Sequence, residues 1–263
     1  KKKIKINSKN LKIANNASLL LPFHSLVDRT REELLSKYKI GTTGKGIGPC
    51  YEDKIARRGI KICDLDDINS LKSRLKQLIE FHNIFLAKYS KKRISFIDTF
   101  KFLKSIKKRI LSYSIDLSEF VNSKKFASKK LLFEGAQGLM LDIDYGTFPY
   151  VTSSNTLPAT AASSIGLNPR KLGNIIGVVK AYTTRVGEGP FPTEIKSKLG
   201  AVLAEKGNEF GSVTGRPRRC GWFDVVQCKK AINIAGIDSF ILTKIDVLDS
   251  FKKINICYQY KLG

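Results

Sequence analysis

Ser239-Phe-Ile-Leu-Thr-Lys-Ile-Asp246 is a short apolar run that stops in a polar loop. Residues 174–182, Asn-Ile-Ile-Gly-Val-Val-Lys-Ala-Tyr, form a second such run. Leu131-Leu-Phe-Glu134 forms a third and passes at once into Gly135-Ala-Gln-Gly138. Nearer the start, Ala17-Ser-Leu-Leu-Leu-Pro22 reads as another short buried strand. Helical spacing fills the intervals. Phe23 to Tyr38 reads as a helix, as does Trp222 to Ala235 through Val225, Val226, Ala231 and Ile232. Over residues 70–90, Leu71, Leu75, Leu78, His82, Phe85 and Tyr89 recur at helical spacing behind a capping Asn69-Ser70, and residues 97–122 repeat that character. Apolar strands that end in Gly-rich or polar loops, with helices between, predict an α/β fold: a mostly parallel central sheet, flanking helices, and ligands at the strand ends. Residues 66–128 read as a helical insertion on that sheet.

The composition fits a globular protein: 263 residues, 42% hydrophobic and 27% charged, with 20 Gly and 8 Pro. The outlier is charge, 47 Lys+Arg against 23 Asp+Glu, or +24. Such an excess raises nucleic acid, membrane surfaces and phosphorylated substrates as partners. Lys outnumbers Arg roughly three to one and travels with Ile, Asn and Ser, the mark of an AT-rich coding bias. The positions of the Arg residues therefore carry the functional argument. Aromatics are not arrayed as a stacking platform, so no nucleic-acid partner is expected. No apolar run reaches spanning length and no leader-like segment follows Lys1, so no membrane is expected either. Cys50, Cys63, Cys220, Cys228 and Cys257 form no CxxC or Cys/His cluster. That pattern argues against zinc and disulfides, and for a cytoplasmic context.

Five stretches carry chemistry. Gly41-Thr-Thr-Gly-Lys-Gly-Ile-Gly48 is neither a Walker A loop nor GxGxxG, but its glycines let the backbone wrap closely around an anion. An ordinary mobile turn is the equal alternative. Tyr51-Glu-Asp-Lys-Ile-Ala-Arg-Arg58 places Lys54, Arg57 and Arg58 within about one helical turn, either for phosphate or as surface bases paired with Glu52 and Asp53. Gln137 stands at a strand end, where its amide can read a base edge, and Thr152-Ser-Ser-Asn155 can bond an anion or cap a helix. Gly207-Asn-Glu-Phe-Gly-Ser-Val-Thr-Gly-Arg-Pro-Arg-Arg219 sets three Arg within four residues, a clamp for an acidic small molecule. Thr243-Lys-Ile-Asp246 resembles the guanine reader of GTP-binding proteins, in which the Asp accepts from two adjacent guanine donors.

In this order the stretches 41–61, 132–156, 180–194, 207–225 and 242–249 resemble the adenylosuccinate synthetase family, with weaker similarity between them. The resemblance implies a P-loop-NTPase-like fold and a GTP-dependent ligase of AMP synthesis, using IMP, L-aspartate and GTP with Mg²⁺. GTP would phosphorylate the 6-oxygen of IMP, and aspartate would displace that phosphate. Position by position, Thr43 and Thr152 would contact the IMP phosphate, Gln137 the purine at the reacting oxygen, and Val186 the ribose. Arg57 would reach the IMP of the neighbouring subunit, which implies a homodimer. Ser212, Val213, Thr214, Gly215, Arg216, Pro217 and Arg218 would form the aspartate loop. Within it Arg216 would also contact IMP, and Arg218 the GTP side. Lys244 and Asp246 would read guanine.

Lys45 stands where the family commonly has Arg, Tyr145 replaces a usual His, and Leu157-Pro158 falls where small residues and Gly are usual. The family's Gly-Asp-Glu-Gly-Lys-Gly-Lys loop, whose Asp is base and Mg²⁺ ligand, does not occur in these 263 residues, nor does its acid His in context. No metal ligand is therefore expected in this chain. His24 reads as structural. The expectation is the central portion of one synthetase domain, without the N-terminal phosphate loop and the C-terminal guanine contacts, and inactive alone. A non-catalytic product of a degraded or split gene is the alternative, and a basic nucleic-acid module a remote third.

Overall fold

The computed structural model describes residues 4–211, Gly215 and 217–261. The chain folds as two compact units, Lys1–Phe133 with Ala162–Asn168, and Glu134–Ala161 with Pro169–Gly263.

The first unit is built on the long amphipathic helix. Its apolar positions Leu71, Leu75, Leu78 and Leu86 are buried, and so is His82. In chain order this unit holds β1 (Ile13–Ala14), α1 (His24–Leu35), α2 (Ile47–Ile55), α3 (Ile68–Tyr89), α4 (Phe96–Leu111), β2 (Ser114–Ile115), α5 (Leu117–Asn122) and α6 (Lys124–Ala127). The division falls within α7 (Thr160–Ile165). The cap of α3 lies two residues ahead of the expected Asn69-Ser70. Asp67 accepts from the amides of both those residues, and its charge also suits the positive helix N-terminus. The stretch expected as one helix over 97–122 is broken, because α4 ends at Leu111 and β2 pairs in parallel with β1 before α5 begins. Leu21, Phe23 and Val27 of the α1 region pack with Ile60, Leu65, Leu103 and the α3 leucines in one core. Ala17–Pro22, expected as a strand, makes only an isolated bridge, Ser18 to Lys61.

The second unit contains β3 (Ile176–Lys180), β4 (Thr183–Arg185), α8 (Lys198–Lys206), β5 (Arg219–Gly221), β6 (Phe223–Asp224), α9 (Val225–Ala235), β7 (Ser239–Thr243) and β8 (Ile256–Cys257). The β3 and β7 strands are the two apolar runs predicted for them, paired in parallel from Ile176–Ser239 to Lys180–Thr243. Its core gathers Ala181, Tyr182, Leu203, Cys220, Val247 and Leu248.

The fold class is α/β. In place of one central sheet, the described residues form four two-stranded ladders, three parallel and one, β4–β5, antiparallel. Leu131-Leu-Phe-Glu134 is not a buried strand: it pairs with nothing in a ladder and Leu132 is 92% exposed. An apolar run becomes a strand only where a neighbour takes its backbone hydrogen bonds, and the described residues supply none. All five cysteines are free thiols. No described helix is long and apolar enough to cross a membrane.

Candidate active site

In the first unit the Gly-rich loop is held by one face of α1. Ser25, Asp28 and Glu32 stand at helical spacing. The Ser25 hydroxyl donates to the Gly44 carbonyl (2.6 Å), Asp28 accepts from the Gly46 amide (2.8 Å) and the Thr42 hydroxyl (3.1 Å), and Glu32 accepts from the amides of Gly41 (2.9 Å) and Thr42 (3.2 Å). This differs from the mobile turn. The loop is anchored rather than free, and three of its amides meet the carboxylates of α1. Thr43 stands exposed at its tip. Gly46, at φ 87°, is obligatory: a Cβ there would lie 2.4 Å from the His24 carbonyl carbon.

Helix α2 runs from that loop to the basic cluster. Arg58 is committed to structure, donating to Asp53 (2.5 Å) and Glu52 (2.7 Å), while Glu52 also pairs with Arg31. Arg57 differs from its neighbour. It is exposed, sits in the left-handed region at φ 62°, and forms no ion pair among the described residues. The expected pairing of these bases with Glu52 and Asp53 holds for Arg58, but not at the surface, because Asp53 anchors α2 from the interior. Asp53 is fully buried and its Oδ2 accepts from Nε2 of His24 (3.0 Å) and of His82 (2.8 Å). Burial acts to raise the Asp53 pKa, and hydrogen bonds from His24, His82 and Arg58 outweigh it, holding the carboxyl well below the usual aspartate value.

His24, Asp53 and His82 are spaced closely enough to share a metal ion. The hydrogen bonds of the set disfavour it. His24 Nδ1 accepts the Leu21 amide (2.9 Å), so its Nε2 carries the proton and donates to Asp53. Mg²⁺, the ion the resemblance implies, also demands oxygen ligands and water, and a buried His–Asp–His set fits it poorly.

In the second unit the motif loops join into a network. Asp142 is buried and accepts from the amides of Thr156 (2.5 Å), Asp144 (3.0 Å) and Tyr145 (3.1 Å), which folds 142–156 into one loop. The Thr152 amide donates to the Leu141 carbonyl (2.8 Å), and the Thr156 hydroxyl to the Gly138 carbonyl (3.1 Å), bringing the loops of Gln137 and Thr152 together. Gln137 is exposed and left-handed, at φ 62°. A Cβ at Gly135 or Gly138 would meet no atom within 4 Å, so packing within the chain does not require these glycines. Arg185 ties this loop to that of the half-exposed Val186, donating to the Thr147 hydroxyl and the Tyr150 carbonyl, each at 3.1 Å.

Of the Arg cluster, Arg219 forks onto Glu194 through two bonds of 2.7 Å and is structural. Arg218 donates to Glu209 (2.7 Å). Ser212, Val213, Thr214 and Arg216 lie outside the described residues; Gly215 is left-handed at φ 63°, and Pro217 bridges to Phe210. Lys244, at φ 61°, opens the turn after β7 and donates to the Gly207 carbonyl (2.8 Å), while Asp246 stands exposed one turn on. Among the described residues five non-Gly residues have positive φ, and three of them are Arg57, Gln137 and Lys244. Such backbone costs about 1–3 kcal/mol and clusters at functional sites.

The sequence profile of the adenylosuccinate synthetases matches residues 1–263. The chain belongs to the adenylosuccinate synthetase family. The adenylosuccinate synthetase of Actinobacillus pleuropneumoniae serotype 5b (strain L20) is 47% identical over 253 residues, 96% of this chain and 59% of that protein. That of Neisseria meningitidis serogroup C (strain 053442) is 49% identical over the same length and shares. A solved structure, the fully ligated adenylosuccinate synthetase from Plasmodium falciparum, superposes with a TM-score of 0.88 at 38% identity, covering 94% of this chain and 58% of that one. The succinoaminodeoxyadenylate synthetase of cyanophage S-2L, at 20% identity and a TM-score of 0.55, shares the fold. The chain thus spans about three-fifths of the length of the curated synthetases it matches.

Proposed function

We propose that the protein is a GTP-dependent ligase that joins IMP and L-aspartate into adenylosuccinate, in the cytoplasmic synthesis of AMP. The observation that carries this reading is the selective use of the motif residues. Arg58 and Arg219 are spent on carboxylates, whereas Arg57, Gln137 and Lys244 occupy costly left-handed backbone in family motifs. The family match over residues 1–263 gives that selection its chemistry.

In the proposed reaction the 6-oxygen of IMP attacks the γ-phosphorus of GTP, GDP leaves, and the purine N1 gives up its proton to solvent. The aspartate amine then attacks C6, the C6–O bond breaks, phosphate departs and the amine loses a proton. The chain's task is to hold three anionic reactants in line and neutralise the charge that develops. In this assignment Thr43 and Thr152 hold the IMP phosphate, Gln137 orients the purine and Val186 packs on the ribose. Arg57 reaches the site of a second subunit in a homodimer. The loop from Ser212 to Arg218 binds aspartate, Arg216 from it also meets IMP, and Arg218 faces the GTP side. Lys244 packs on guanine while Asp246 accepts from its two adjacent donors. The His24–Asp53–His82 cluster does not fit the Mg²⁺ of the family, and the 263 residues alone are expected to be inactive.

Adenylosuccinate should form in the full-length protein only when GTP, IMP and aspartate are all supplied. Arg216→Ala should lower kcat/KM for aspartate by about a hundredfold, the scale of a lost charge-assisted contact. Product without GTP, or unchanged aspartate kinetics in the variant, would refute the assignment.

A further inference from the structure

Glu209 is buried, 1% exposed, between the Arg-rich loop and α8, and no motif reading assigned it a role. Its Oε1 accepts from the Tyr182 hydroxyl (2.6 Å), and its Oε2 from Lys180 Nζ and from Arg218 Nη1, each at 2.7 Å. The Arg218 amide returns to the Glu209 carbonyl (2.9 Å), and Phe210 bridges to Pro217. Glu209 and Arg218 therefore close the neck of the loop that begins at Gly211. Two residues earlier the same turn receives Lys244 Nζ at the Gly207 carbonyl. Gly207 admits no side chain, since a Cβ would stand 2.2 Å from the Tyr182 hydroxyl. Lys180 belongs to β3, whose neighbour β7 leads into Lys244. The anchor is strong. Burial alone would raise the Glu209 pKa, and hydrogen bonds from Lys180, Tyr182 and Arg218 outweigh it, so the carboxylate stays charged between its cations.

We propose that Glu209 is a positioning residue that ties the guanine-reading turn at Lys244 to the aspartate loop at Arg218, so that nucleotide and amino acid engage one mechanical unit. The inference rests on the ligase reading above. Glu209 touches no reactant. It orients the Arg218 guanidinium and sets the turn whose Gly207 carbonyl accepts from Lys244 Nζ.

The test is the KM of each substrate in the full-length protein. Glu209→Gln keeps the shape and removes the charge, and should raise KM for aspartate and for GTP about tenfold each, with a smaller rise for IMP, which the same loop meets through Arg216 alone. Glu209→Asp, which keeps the charge, should recover part of both. Tyr182→Phe removes one donor and leaves both ion pairs, and should raise the same two values about twofold to threefold. This milder variant carries the test if Glu209→Gln does not fold. An equal rise in all three KM values, a fall in kcat alone, or no change would overturn the role of Glu209 while leaving the ligase reading intact. Absence of product from the unsubstituted protein would overturn that reading and this inference with it.

Discussion

Replacing Asp53 by Asn tests the buried anchor of α2. Oδ2 accepts two imidazole N–H groups at 3.0 and 2.8 Å, and Oδ1 accepts Arg58 Nε at 2.5 Å. An amide has one acceptor oxygen and one NH₂. Whichever way it turns, the NH₂ faces a donor: the two imidazoles on one side or the guanidinium on the other. Asp53 is fully buried, so water cannot repair the mismatch. Breaking a buried pair while leaving its partner costs about 3–5 kcal/mol. Arg58 keeps its bond to Glu52, which favours the lower figure. At about 2–4 °C per kcal/mol for a chain of this size, the melting temperature should fall by on the order of 10 °C.

The pH dependence gives an independent check. The Asp53 pKa is lowered on folding, so its stabilisation is complete above the unfolded pKa and lost as pH falls through the folded one. The unfolding free energy of the unsubstituted protein should therefore decline below about pH 4, the ordinary aspartate range. Asp53→Asn should lack that part of the acid limb. Urea unfolding followed by circular dichroism across pH 3–7 reads both quantities. A loss below about 1 kcal/mol at pH 7 would place Asp53 among ordinary surface pairs and refute the anchor.

Three further outcomes concern the loops. Gly46→Ala should cost about 2 kcal/mol or more in urea unfolding, because it combines left-handed backbone with a collision on His24. Gly138→Ala should leave stability within about 0.5 kcal/mol while raising KM for IMP, since a methyl there meets only a ligand. Asp246→Asn should depress GTP use by about a hundredfold and recover turnover with xanthosine triphosphate, whose 2-oxo group accepts from the new amide. Undiminished GTP use would remove Asp246 from the guanine site.

Local pattern made the helices legible. The leucines of α3 announced its buried face, and the α1 helix, with the short 3₁₀ turn Ser36–Tyr38 after it, fills the predicted 23–38. The β7 run and its polar exit were equally readable. Pairing was not. Leu131–Glu134 has the composition of β7, yet only β7 has a partner strand, and a partner is a tertiary fact. The candidate site divides the same way. Arg57 and Arg58 are identical in sequence terms, and so nearly are Arg218 and Arg219. Their roles separate only when the folded chain delivers Asp53 to Arg58, Glu194 to Arg219 and Glu209 to Arg218. The buried partnerships of Asp53, His82 and Glu209 were not readable because each joins residues 27–29 positions apart. The available signal was an ionisable residue among apolar ones, as His82 is on α3.

The most direct measurement follows one oxygen. With IMP carrying ¹⁸O at position 6, together with GTP and aspartate, the full-length protein should release inorganic phosphate bearing that ¹⁸O, one label per adenylosuccinate formed. Phosphate free of label, or label lost to water, would contradict ligation through a 6-phosphoryl intermediate.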